Sequence, residues 1–132
     1  MIEVYIDGAS SGDPGPSGAG IFIKNNGKTE SFSIPLGTMN NHEAEFHALI
    51  KSLEICIELG FSIVSVRSDS TAVVDAIEKE YARNEKYRLL LRDALSLASQ
   101  IDLFFIKWIP SKENKHADQL ARQAIRLNAD IK

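Results

Sequence analysis

The hydrophobic period of the chain first changes near residue 40, and that change limits the folds open to it. Before it, Ile2-Glu3-Val4-Tyr5-Ile6 alternates in the manner of a strand, residues 20–24 read as a second strand and residues 28–34 as a third. Asn25-Asn26-Gly27 supplies a hairpin turn between the last two. After it, Phe46, Leu49, Ile50, Leu53 and Ile57 recur at helical spacing through residues 42–59, and Gly60 stands as the C-terminal stop. Strands over 62–67 and 102–108 follow, with helices over 71–79, 87–99 and 114–127. The order βββαβααβα predicts an α/β protein: an antiparallel meander, then helical crossovers that add parallel strands. The expected result is a five-stranded mixed sheet with helices on both faces. Ligands in such sheets gather beyond the carboxyl ends of parallel strands, where this reading places Asp7 and Asp69. Residues 7–18, dense in Gly, Pro and Ser, read as a tight loop after the first strand.

With 132 residues the chain fits a single domain, 1–132. No apolar run approaches the ~18 residues that span a bilayer, and Met1 leads straight into a strand-like segment rather than a signal peptide. The expectation is a cytoplasmic monomer with no membrane contact. Cys56, the sole cysteine, excludes an internal disulfide and reads as a small buried hydrophobe beside Ile55 and Ile57. His42, His47 and His116 are scattered, so no Cys/His spacing suits zinc. Any metal here is hard and bound by oxygen.

The net charge of −3 lacks the basic footprint of proteins that hold nucleic acid by charge alone. The average hides a gradient. Residues 1–103 carry nine Lys/Arg against fifteen Asp/Glu, and residues 104–132 carry six against three. A basic end beside an acidic body suits a nucleic-acid strand next to a metal site, and equally a solvated helix face.

Four acids stand where core building would not put them: Asp7, Glu45, Asp69 and Asp118. Glu45 shares a helical stripe with Leu49, Leu53 and Cys56, so its charge faces the sheet. Asp118 is flanked at helical spacing by Ala121 and Ile125. Each has a structural alternative: a turn at Asp7-Gly8, the helix dipole for Glu45, a cap at Asp69, an ion pair between Asp118 and Arg122. Together they converge on one end of a sheet, where four anions without a cation would repel and raise one another's pKa values. Two Mg²⁺ or Mn²⁺ ions about 4 Å apart resolve this, one activating water and the other stabilising the departing oxygen of a phosphodiester.

These residues resemble a known family, type 1 ribonuclease H, over residues 2–127. Val4-Tyr5-Ile6-Asp7-Gly8-Ala9-Ser10 with Gly12-Asp13-Pro14-Gly15-Pro16-Ser17-Gly18 is similar to its first strand and loop, and Asn41-His42-Glu43-Ala44-Glu45-Phe46 to its first helix start. Ser68-Asp69-Ser70 and Asn114-Lys115-His116-Ala117-Asp118-Gln119-Leu120-Ala121 supply the remaining acids. The resemblance implies the ribonuclease H-like fold, with Asp7, Glu45, Asp69 and Asp118 as catalytic metal ligands. It implies an endonuclease that cuts the RNA strand of RNA/DNA hybrids. It also places Gly8, Ser10, Asp13, Asn41, Ser70 and Thr71 on the substrate side, where polar and main-chain groups read the 2′-hydroxyls of RNA.

The chain departs from the family at several positions. Ser111 stands where many members carry a loop histidine, and Lys112 beside it cannot replace an imidazole near neutral pH. Asp13 replaces a frequent Asn, His42 a second Asn and Thr71 a Gln, and the basic protrusion of some bacterial members is absent, since residues 80–86 are short and mixed in charge. Two other readings stay open: a hybrid-binding module with weak or no turnover, and a related nuclease with another RNA target. Trp108 reads as a core residue rather than a base-stacking one.

Overall fold

A computed structural model describes residues 1–130, and the surroundings of side chains through residue 127. β1 (Ile2–Ser10), β2 (Gly15–Asn25) and β3 (Lys28–Met39) form the antiparallel meander. The Asn26-Gly27 turn between β2 and β3 has φ of 52° and 85°, the doubly positive geometry that matches the twist of a hairpin. β4 (Ile63–Ser68) and β5 (Leu103–Trp108) add in parallel on the other side of β1, giving the order β3-β2-β1-β4-β5. The helices are α1 (Asn41–Glu58), α2 (Thr71–Lys79), α3 (Glu85–Ala98) and α4 (Lys115–Asp130), with a 3₁₀ turn at Ser111–Glu113.

Residues opposite each other in an antiparallel pair share a face, and here Gly8 pairs with Ala19 and Asp7 with Gly20. A Cβ on Gly8 would overlap the Ala44 carbonyl and Glu45 amide of α1. One on Gly20 would overlap the Ala117 carbonyl and Ala121 amide of α4. α1 therefore lies on one face and α4 on the other, as the element order predicts. On the α1 face, Val4, Ile6, Ile21, Ile23, Val64 and Val66 of the sheet meet Phe46, Leu49 and Leu53, with α3 contributing Leu91 and Ala94. Each fully buried aliphatic side chain there contributes roughly 1.5–3 kcal/mol. Cys56 is buried in this core, which pushes its thiol up to about 11.

Two expectations need correction. The stretch read as a loop over 7–18 is mostly strand, because β1 runs to Ser10, β2 starts at Gly15, and pairing continues through Ser10 opposite Ser17. Asp7 is therefore inside β1, not at its end. Gly8, Gly18 and Gly20 are glycines because helices rest directly on their backbone, a reason that composition alone does not separate from turn formation. The starts of α1 and α3 also lie earlier than the apolar spacing indicates, since Asn40 and Asn84 cap them. Asn40 accepts from the Glu43 amide at 2.8 Å while Glu43 accepts from the Asn40 amide at 3.1 Å, a reciprocal box that sets the rotation of α1 and so the direction of Glu45.

Candidate active site

The acids of the site come from separate parts of the fold: β1, α1, the loop after β4, and α4. Asp7 projects from the middle of β1; parallel pairing of β1 with β4 sets Ser68 opposite Ile6, so Asp69, the next residue, arrives beside Asp7. Glu45 comes from the second turn of α1 and accepts a hydrogen bond from the Gly8 amide. The ligand atoms of Asp7, Glu45 and Asp69 all lie within 4.8 Å of one another, and Asp7 and Glu45 are only 8% and 7% exposed. Burial pushes the Asp7 carboxyl up from 3.8 to about 9, with the charges of Glu45 and Asp69 adding to the rise. Burial likewise pushes Glu45 up to about 7, against the Gly8 amide, which favours its charged form.

Asp118 sits in the first turn of α4, which begins where the buried Asn114 donates its amide to the Ile6 carbonyl at 2.8 Å. That bond ties the fourth acid to β1. Asp118 stays outside the three-acid cluster: its Oδ2 accepts from Arg122 Nε at 2.9 Å, the i,i+4 pair expected as its structural alternative. Its charge is still near enough to raise the Asp7 carboxyl.

The four acids line one cleft of about 690 Å³. Gly8, Ser10, Asn41, Ser70 and Thr71 line it too, and Asn41 accepts from the Ser10 amide at 3.3 Å. Asp13 does not line the cleft; it is exposed on the turn between β1 and β2. Ser70, not Asp69, caps α2, accepting from the Val73 amide, so the Asp69 carboxylate is left for the cluster. His42 and Ser111 stand in the wall, as do Arg122 and Arg126. Arg126 lies two helical turns beyond Asp118, a spacing that places it on the stripe of that acid. Trp108 corrects its core reading: it is 47% exposed, and its indole donates to the Asp69 carbonyl at 3.2 Å. The last strand thereby helps fix the loop that carries Asp69.

Residues 5–124 match the reverse transcriptase-like family. The chain is 43% identical over 128 residues to EbsB of Enterococcus faecalis, which carries a hydrolase name, covering 96% of this chain and 95% of that one. It is 34% identical to a ribonuclease H of Trichodesmium erythraeum, over 93% of this chain and 87% of the relative. Ribonuclease HI of Halobacterium salinarum is 31% identical, and there the chain spans 64% of the relative's length. The crystal structure of RNase H1 from that archaeon superposes with a TM-score of 0.89 at 30% identity, over 95% of this chain and 97% of the other. This chain belongs to the type 1 ribonuclease H family. LC11-RNase H1, at 28% identity and a TM-score of 0.88, covers 96% of this chain and 97% of its own, in a crystal complex with an RNA/DNA hybrid. In ribonuclease H terms, the chain has the five-stranded mixed sheet and a cluster of acids suited to the family's metal dependence. No helix among the described residues is long and apolar enough to cross a membrane.

Proposed function

We propose that this chain is an endoribonuclease that hydrolyses the RNA strand of RNA/DNA hybrids, with Asp7, Glu45, Asp69 and Asp118 holding two divalent cations, Mg²⁺ or Mn²⁺. The observation that carries the reading is the gathering of three carboxylates within 4.8 Å in the lining of a cleft of about 690 Å³. The donor set fits a hard cation. All its ligand atoms are oxygens, and the upward push on Asp7 and Glu45 is the repulsion and desolvation that a cation would relieve. When bound, such ions lower the pKa of water and stabilise the charge on the departing oxygen.

The chain's own residues supply the geometry. Asp7 pairs with Gly20 of β2, one residue beyond the last β1–β4 pair of Ile6 with Ser68, and the Gly8 amide holds Glu45 in place. Asp118 would exchange Arg122 for a cation, closing the set. The proposed substrate contacts are Gly8, Ser10 and Asn41 on one side of the acids and Ser70 and Thr71 on the other, where hydroxyl, amide and bare backbone groups meet 2′-hydroxyls. Asp13 joins them only for nucleic acid that extends past the cleft. The hybrid seen with LC11-RNase H1 is the substrate this reading carries over.

Ser111 favours a second reading, a hybrid-binding protein with slow turnover, because no imidazole stands at that point of the wall. Incubation of a labelled hybrid with Mg²⁺ and then Mn²⁺ separates the two, with duplex DNA, duplex RNA and the Asp69→Asn protein as controls. Metal-dependent cutting of the RNA strand alone, lost in Asp69→Asn, is the expected result. A hybrid bound but uncut with either metal would establish the second reading instead.

A further inference from the structure

Arg122 and Arg126 are the only lysines or arginines lining the cleft among the described residues. α4 sets them one and two turns beyond Asp118 on the same stripe, in the lining of the cleft. They differ in commitment. Arg122 is taken by Asp118 at 2.9 Å, whereas Arg126 is exposed and makes no ion pair with a carboxylate of residues 1–127. The body of the protein offers a polyanion little attraction, since the chain carries a net charge of −3 and the cleft collects four acids. A strand that enters such a cleft needs local cations along its path, and a guanidinium meets a phosphate with two parallel hydrogen bonds.

We propose that Arg126 binds a backbone phosphate of the nucleic-acid strand where it leaves the carboxylates along α4, and that Arg122 joins it once Asp118 turns to a cation. This rests on the reading of the chain as a hybrid nuclease. Eight residues of helix separate Arg126 from Asp118, or about 12 Å. The contact therefore falls on a phosphate away from the bond that is cut. Arg126 acts on affinity and on the register of the strand, and the chemistry stays with the acids.

The test measures binding, in the Asp69→Asn protein with Mg²⁺ present, by fluorescence anisotropy of a labelled RNA/DNA hybrid over a series of salt concentrations. Arg126→Gln is expected to weaken binding about 5- to 10-fold and to lower the slope of log K against log salt by about 1. Arg126→Lys should keep the slope. Arg92→Gln, which removes an exposed charge on α3 outside the cleft, should change neither quantity. In the otherwise unaltered protein, Arg126→Gln should raise KM for the hybrid while kcat holds. An Arg126→Gln protein with the parent's affinity and slope overturns the proposal, as does an Arg92→Gln protein that weakens binding equally. If the parent binds no hybrid and the unaltered protein cuts none, the functional reading falls and takes the proposal with it.

Discussion

Replacing Asp7 with Asn removes the most strongly perturbed charge of the site while keeping its shape. The Asp7 carboxyl is pushed up from 3.8 to about 9, chiefly by burial. A carboxyl whose folded value exceeds its unfolded one holds its proton more tightly in the native state. Its contribution is whole below about pH 4 and is lost as pH rises toward 9. At pH 8 the metal-free protein has crossed about four units of that window, and at about 1.4 kcal/mol per unit the loss is on the order of 5 kcal/mol. That is a large share of the roughly 5–15 kcal/mol that holds a domain of this size folded. Asn carries no charge to desolvate, and its amide can donate to Glu45. In excess chelator at pH 8, Asp7→Asn should melt about 10–20 °C above the wild type, with the gap shrinking steadily toward pH 4.5. Circular dichroism melts across this range measure both curves. A wild-type melting temperature flat between pH 5 and 9, or an Asp7→Asn protein that melts no higher at pH 8, would refute the electrostatic reasoning.

Saturating Mg²⁺ or Mn²⁺ should raise the wild-type melting temperature more at pH 8 than at pH 5.5, because protons compete for Asp7 and Glu45; an equal gain at both would remove these acids from the site. Gly20→Ala should cost about 3 kcal/mol in urea denaturation, since its Cβ meets α4 backbone that must then move, carrying Asp118 with it; a neutral result would mean that α4 does not rest on β2. Ser111→His puts an imidazole into the cleft wall and should raise kcat on the hybrid near neutral pH with little change in binding, and an unaltered kcat would show that the serine is not what limits turnover.

The period-2 and helical patterns carried the element order, and from that order followed the meander, the parallel crossovers and the two helical layers. Alternation and helical spacing are local properties of the chain, so they survive without knowledge of the fold. The four acids were legible for a related reason: each has an ordinary structural role open to it, but Glu45 on its apolar stripe and Asp69 after its strand converge with the others on one end of the sheet. What the chain could not express locally was the reason for its glycines. At positions 8 and 20 they are required by helices from distant parts of the sequence, and β1 runs past Asp7 because it stays paired with β2 through Ser10. Nor could it show that Asp118 pairs with Arg122 while the other three acids close to within 4.8 Å, or that Trp108 reaches the Asp69 carbonyl. Those facts depend on distances between elements far apart in the chain. The residue types of a metal-dependent nuclease were thus set by the sequence, whereas their convergence in one cleft, and the pKa values that burial imposes on them, were decided by tertiary packing, because charge repulsion and desolvation depend on separation in space.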